Sequence, residues 1–188
     1  MDAWKTHSRK QVLSFGKWLA VEDRTVETPD GRVIEGWPWV ITPDYVNVVP
    51  VTPEGRVMLF RQGKYGFPGE SLAPVGGYME PGEEPLAAAQ RELREEMGCA
   101  AEHWEPLGRF QVDPNRGIAW GNLYLARGAV KVAELVVDDL EAQELITMSI
   151  GEVEAALRAG RFTVLAWAAN VALALMALRA ESGGAHGD

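Results

Sequence analysis

The chain has 188 residues, 47% of them apolar and 24% charged, as expected for one globular domain with a substantial core. Eighteen lysines and arginines against 27 aspartates and glutamates give a formal net charge of −9, which disfavours nonspecific binding to nucleic acid or an anionic membrane. An anionic ligand would therefore need something else to hold it, for which a divalent metal ion is the obvious candidate. The single cysteine, Cys99, excludes an intramolecular disulfide and indicates a reducing, cytoplasmic compartment.

Strands are predicted first along the chain. The turn sequence Thr28-Pro29-Asp30-Gly31 predicts a hairpin, because proline presets φ and glycine accepts a positive φ. A second antiparallel pair follows across Pro53-Glu54-Gly55. The stretch 63–82 is rich in glycine and proline, which predicts neither a helix nor a strand. The four predicted strands are Trp18–Val26, Arg32–Ile41, Tyr45–Val51 and Arg56–Arg61.

Helices and strands alternate in the second half. Apolar residues at spacings of three and four predict a helix over Pro85–Met97, which Gly98 ends. The run Phe162–Leu178 is apolar but shorter than the roughly 20 residues of a membrane span, so we expect it in a core or a subunit interface. Together these elements indicate an α+β or α/β sandwich. The other predicted elements are strands Glu105–Val112 and Ala119–Ala126 and helix Ile150–Ala159.

Three carboxylates crowd one face of the first predicted helix. Glu92, Glu95 and Glu96 lie within about 100° of one another around the helix axis, near the C-terminal end, where the helix dipole disfavours anions. A divalent cation would turn their mutual repulsion into ligation. The alternative is a solvated acidic face, partly offset by Arg91 and Arg94.

The spacing around these carboxylates resembles the signature of the Nudix hydrolases, G-x5-E-x7-R-E-U-x-E-E-x-G-U, where U is aliphatic. Its seven fixed positions are present from Gly77 to Gly98, and only Cys99 departs from the final aliphatic position. The resemblance implies Mg²⁺, with Mn²⁺ as a possible substitute, ligated by Glu92 and Glu96 with help from Glu95 and the carbonyl of Gly76. It assigns structural roles to Gly77, Glu83, Arg91 and Gly98.

Further features resemble the ADP-ribose pyrophosphatase branch of that family. In some members two tryptophans, one from each subunit of a swapped dimer, clamp the adenine, and Trp18 and Trp37 are so placed. The alternative is that these tryptophans only cover the sheet. Arg61 and Lys64 resemble a segment that contacts phosphate or ribose. Pro114 falls at a characteristic proline, and Arg116 could meet a phosphate or a sugar hydroxyl.

The catalytic base is assigned late in the chain. The resemblance aligns Glu141 with the carboxylate that deprotonates the attacking water, with Asp139 beside it. Glu95 is a further catalytic candidate. The alternative for Asp139 and Glu141 is an ordinary solvated acid cluster.

The resemblance implies one domain built as a mixed β-sheet between helices, preceded by an antiparallel strand arm. We expect the arm at 1–42, where it exchanges within a homodimer, the hydrolase domain at 43–180 and a disordered tail at 181–188. The implied activity is Mg²⁺-dependent hydrolysis of ADP-ribose to AMP and ribose 5-phosphate, with no nucleic-acid or membrane partner. Alternatives are GDP-mannose or another nucleoside diphosphate sugar or dinucleotide, or a non-catalytic nucleotide-binding regulator.

Overall fold

A computed structural model describes residues 3–134 and 143–184. The chain divides into two compact units. The first combines the described part of Met1–Asp44 with Phe110–Gly121, and the second combines Tyr45–Arg109 with the described part of Asn122–Asp188. The sequence did not indicate that Phe110–Gly121 groups with the N-terminal strands.

The first unit contains an antiparallel sheet in the order β1-β2-β3. The predicted hairpin is confirmed, with Gly31 at φ 83° in its turn. Strand β1 was missed by the sequence analysis because all eleven of its residues are exposed, so it has no apolar face to reveal it. These strands are β1 (Lys5–Phe15), β2 (Leu19–Glu27) and β3 (Val33–Ile41).

The second unit is built around a seven-stranded sheet. Its main path runs β12-β5-β4-β10-β9, while β6 pairs with β5 and β7 with β4; β8 and β11 form a separate pair. The strands are β4 (Tyr45–Val51), β5 (Val57–Gln62), β6 (Ser71–Ala73), β7 (Val75–Tyr78), β8 (Cys99–Ala100), β9 (His103–Asp113), β10 (Ile118–Arg127), β11 (Val130–Lys131) and β12 (Gln143–Met148). Strand β9 ends in the first unit and β10 begins there. The helices are α1 (Pro85–Met97), α2 (Ile150–Arg158) and α3 (Leu165–Gly184).

Helices cover both faces of this sheet. Because side chains alternate along a strand, Val46 and Val48 pack in one cluster with Leu93 of α1, whereas Val49 packs in the other with Val171 of α3. The predicted α+β sandwich is thereby confirmed. Helix α1 has the predicted bounds, and Gly98 caps it in the left-handed region at φ 63°.

One prediction about the strands needs correction, and a second is confirmed over a short length. The stretch 63–82 contains β6 and β7, which form although they are short and β7 is half glycine, because β7 pairs along the first half of β4, from Tyr45 opposite Tyr78 to Val48 opposite Val75. Strands β4 and β5 pair antiparallel, as predicted, but the pairing is confined to the end next to the turn, where Val51 lies opposite Val57. Most of β5 pairs instead with β12.

The C-terminal helix is longer than predicted. Helix α3 continues to Gly184, inside the segment assigned to a disordered tail, because Ala180 and Glu181 favour helix while two glycines follow only at 183–184. Within the described ranges, no helix combines the length and apolar character needed to cross a membrane.

Candidate active site

Two adjacent glycines on β7 allow close approaches on opposite sides of the strand. A Cβ on Gly77 would lie 2.5 Å from Oε1 of Glu92 on α1. A Cβ on Gly76 would lie 2.2 Å from the carbonyl oxygen of Val46 and 2.6 Å from Oδ1 of Asn47 on β4. At both positions it is the close contact, and not the backbone conformation, that favours glycine.

Helix α1 presents the three candidate carboxylates at different depths. Its apolar residues Ala88, Ala89 and Leu93 are fully buried, which holds the helix against the sheet. Glu92 lies on the same side of the helix and is 7% exposed, and its carboxylate packs against Gly77. The side chain of Glu95 is 60% exposed, and Glu96 is half-buried.

Arg91 binds the carboxylates together. Its Nε and Nη2 donate to the two oxygens of Glu83 at 2.9 and 3.0 Å, and Nη2 also donates to the carbonyl of Tyr78 at 3.2 Å. Its Nη1 donates to Glu92 at 2.7 Å and to Glu95 at 3.1 Å. All five N–H groups of the guanidinium are thus used. The predicted bracing of the loop by Glu83 and Arg91 has a direct geometric basis here.

The local electrostatics follow from this arrangement. Burial raises the pKa of Glu92 above its usual value, and Arg91 opposes that rise. The hydrogen bonds from Arg91 lower the pKa of Glu83, and the pKa of Arg91 itself is raised, chiefly by Glu83. Arg91 therefore stays charged throughout the physiological range.

The donor set suits a divalent cation of the Mg²⁺ type. Carboxylate and carbonyl oxygens are its preferred protein ligands, and Glu92 is a buried carboxylate that burial destabilises in its charged form. In the described ranges, no three Asp, Glu, His or Cys side chains meet closely enough to hold a metal ion. The hydrogen bonds of Glu92 and Glu95 go to Arg91 instead, which accounts for their orientation.

The other predicted residues of the second unit lie on strand β5 and after it. Arg61 is exposed on β5 and pairs with Glu144 of β12 at 2.8 Å. Lys64 is exposed two residues beyond the strand. Glu141, the proposed base, and its neighbour Asp139 lie outside the described residues.

The predicted tryptophan clamp cannot form within one chain. Trp18 directly precedes β2, whereas Trp37 lies on β3 opposite Arg24, six residues further along β2. At about 3.3 Å per residue this separation is roughly 20 Å, too far for two rings to enclose one base. A clamp would require tryptophans from two chains, as the resemblance implies.

Trp37 is already engaged in its own chain. Its Nε1 donates to the carbonyl of Asn115 in the β9–β10 turn at 2.9 Å, and Trp4 lies 5.5 Å from it between ring centroids. In the same turn Arg116 is bound to Asp113 at 2.8 Å, and Pro114 is exposed. Sequence reasoning missed Trp4 because it stands alone before a strand without an apolar pattern.

Asn47 was also missed. It is 4% exposed, lies opposite Gly76 in the register of β4 and β7, and its Nδ2 has no hydrogen-bond partner among the described residues. The signal in the sequence is a polar residue inside the otherwise apolar run Val46–Val49. Asn47 therefore belongs to the packing around the candidate ligand Gly76.

The chain is similar to proteins of a known family. The family model for the NUDIX domain matches residues 42–168. The chain is 29% identical over 149 residues to a methanol dehydrogenase activator of Bacillus methanolicus, covering 79% of this chain and 80% of the relative. It is 32% identical over 110 residues to an ADP-ribose pyrophosphatase of Bacillus subtilis (strain 168), covering 58% of each chain.

A solved structure shares the fold. A crystal structure of an ADP compounds hydrolase superposes with a TM-score of 0.79 at 19% identity, covering 96% of this chain and 97% of that one. At this identity the similarity concerns the fold.

Proposed function

Since the chain belongs to the Nudix domain family, we propose that it hydrolyses the pyrophosphate of a nucleoside diphosphate sugar, with ADP-ribose, giving AMP and ribose 5-phosphate, as the favoured substrate. The chain is a Nudix pyrophosphohydrolase that resembles the ADP-ribose pyrophosphatase branch. The observation that carries the proposal is the buried carboxylate of Glu92 seated on Gly77, within the region that the family model matches.

The proposed reaction needs a divalent cation, Mg²⁺ or Mn²⁺. We assign its ligands to Glu92, Glu95, Glu96 and the carbonyl of Gly76, an oxygen set that fits its chemistry. Such an ion would offset charge on the pyrophosphate and favour ionisation of a water molecule. It would also explain how a chain with a net charge of −9 holds an anionic substrate.

This chain's own residues contribute positioning and proton transfer. The Arg91–Glu83 pair fixes the loop before α1 against the helix, so that Glu92 keeps its place on Gly77. We assign proton removal from the attacking water to Glu141, with Asp139 beside it, and contacts to substrate phosphate or ribose to Arg61 and Lys64.

Recognition of the base is assigned to the first unit. Trp18 and Trp37 from two different chains would stack on the adenine, each contributing about 1–3 kcal/mol. Arg116, next to the characteristic proline position of Pro114, would meet a phosphate or a sugar hydroxyl. This assignment requires a homodimer. A monomeric mass in sedimentation at micromolar protein would contradict it.

The decisive test compares Glu96→Gln with a matched control, Glu102→Gln, whose side chain is 81% exposed. We expect Glu96→Gln to reduce turnover of ADP-ribose by about 10²-fold or more while the protein stays folded, and Glu102→Gln to retain turnover. Equal activity of both variants would refute the assignment. A screen that includes GDP-mannose, with phosphate release coupled to a phosphatase, ranks the substrates.

A second candidate is a regulator that binds a nucleotide without hydrolysing it. It is favoured by the similarity to an activator protein of Bacillus methanolicus. The three crowded carboxylates argue against it, because a pure binder gains nothing from their repulsion. For such a regulator, Glu96→Gln would leave nucleotide binding and activation unchanged, and turnover would be absent from the wild type.

A further inference from the structure

The guanidinium of Arg91 donates hydrogen bonds to two groups of acceptors, one in the segment before α1 and one on α1 itself. Nε and Nη2 donate to the two carboxylate oxygens of Glu83, and Nη2 also donates to the carbonyl of Tyr78. Nη1 alone contacts Glu92 and Glu95, two of the carboxylates proposed as metal ligands. One edge of the guanidinium therefore holds the loop before α1, and the other edge occupies the candidate metal ligands.

Among the three carboxylates that Arg91 binds, Glu95 is the one most readily released. The edge that faces Glu83 makes a fork at 2.9 and 3.0 Å, the geometry in which arginine binds a carboxylate most strongly. The bond from Nη1 to Glu95 is longer, at 3.1 Å, and the Glu95 side chain is 60% exposed. An exposed pair of this kind contributes little to stability, so Glu95 can leave Arg91 at small cost.

The charges around Arg91 also favour the binding of a cation. One guanidinium faces three carboxylates, those of Glu83, Glu92 and Glu95, which leaves a net charge of −2 around it. Arg91 thus relieves only part of the repulsion on α1, and the remainder favours a divalent ion. Nη1 contacts one oxygen of each carboxylate, Oε1 of Glu92 and Oε2 of Glu95, so an ion that takes the same oxygen of Glu95 competes with Nη1 for it.

We infer that Nη1 of Arg91 is an internal counter-ion that a divalent cation must displace from Glu95, while the grip on Glu83 persists. Arg91 is then a positioning residue that keeps the carboxylates assembled before the ion arrives and lowers the affinity of the site for the free ion. This inference rests on the proposed function, because it takes Glu92 and Glu95 as ligands.

The first test follows Arg91 in the wild-type protein by ¹⁵N NMR of arginine side chains during titration with MgCl₂ in the absence of nucleotide. Displacement predicts that the Nη signals of Arg91 shift or broaden with Mg²⁺ concentration, while its Nε signal, bound to Glu83, stays in place. A purely structural brace predicts that none of the three signals moves, and that result would overturn the inference.

The second test measures Mn²⁺ binding by isothermal titration calorimetry without substrate. Arg91→Gln removes the competitor, so we expect the dissociation constant to fall at least threefold, whereas the matched charge change Arg94→Gln, at an exposed position on the same helix, alters it less than twofold. Weaker Mn²⁺ binding by a folded Arg91→Gln protein would overturn the inference.

A second variant covers the case in which Arg91→Gln does not fold. Glu83→Gln weakens the holding edge and leaves the guanidinium to Glu92 and Glu95, so Mn²⁺ should bind at least twofold more weakly; unchanged or tighter binding would contradict displacement. If the wild type binds no Mn²⁺ and shows no turnover, the proposed function fails as well. If it binds and turns over but the variants contradict displacement, only the inference fails.

Discussion

Alanine substitutions at the two neighbouring glycines of β7, Gly76 and Gly77, should have contrasting effects on stability and activity. Replacing either with alanine adds the same methyl group, but the groups that it meets differ. At Gly76 the new Cβ would lie 2.2 Å from the backbone oxygen of Val46, and at Gly77 it would lie 2.5 Å from the carboxylate of Glu92. A backbone atom in a paired strand cannot move aside cheaply, whereas the end of a glutamate side chain can.

Gly76→Ala should therefore reduce stability. Overpacking of this kind costs about 1–3 kcal/mol, and the gain from replacing glycine with alanine offsets about 0.4–1 kcal/mol of it. A net loss of about 1–2 kcal/mol corresponds to a fall in Tm of roughly 2–8 °C for a chain of this length.

Gly77→Ala should instead reduce activity. Moving Glu92 to an unfavourable rotamer costs about 0.5–1.5 kcal/mol, which the same offset largely cancels, so Tm should stay within about 3 °C of the wild type. A displacement of the carboxylate by about 1 Å should lower kcat/KM for ADP-ribose by about 10²-fold.

Calorimetry and steady-state kinetics on the two variants test this contrast. Wild-type activity in Gly77→Ala would refute the claim that turnover requires the Glu92 carboxylate to stay packed against Gly77. Wild-type stability in Gly76→Ala would refute the close approach of β7 to Val46.

Three further predictions concern single side chains. Cys99 is 2% exposed and burial raises the pKa of its thiol, so a disulfide reagent at pH 8 should label the native protein at least about tenfold more slowly than the unfolded one; equal rates would contradict its burial. The pKa of Asp113 is lowered, first by Arg116, so its contribution to stability is present above its unfolded value near 3.8 and is lost as pH falls through the folded value. The difference in urea midpoint between wild type and Asp113→Asn should therefore shrink from pH 7 to pH 3, and a constant difference would argue against this ion pair. Finally, Glu141→Gln should lower kcat about 10²–10⁴-fold at saturating Mg²⁺ while Glu134→Gln does not; near-normal turnover would exclude Glu141 as the base.

The elements predicted correctly are those with strong local signals. Helix α1 has a proline at its start, an apolar repeat and Gly98 at its end, and each of these acts within a few residues. The hairpin of β2 and β3 follows in the same way from Thr28 to Gly31. Local chemistry is sufficient for such elements, because their boundaries depend little on the rest of the chain.

The missed elements depend on partners distant in sequence. Strand β7 contains two glycines and forms because β4 pairs with it, and β1 has no buried residue at all. In the site, the spacing of the carboxylates predicted one crowded face, but not that Nη1 of Arg91 would bind two of them, Glu92 and Glu95. Asn47 and Trp4 escaped notice because their significance lies in what they touch.

Strand β1 has a consequence for the behaviour of the protein in solution. In the described part of the chain it is an edge strand, paired along one side with β2, and exposed edges of this length invite pairing with another chain. Lys5 is paired with Glu27 of β2, but Arg9 and Lys10 place like charges along the strand, so two such edges repel each other there. Because salt screens that repulsion, a high salt concentration should favour edge-to-edge association through β1, whereas a low salt concentration should oppose it.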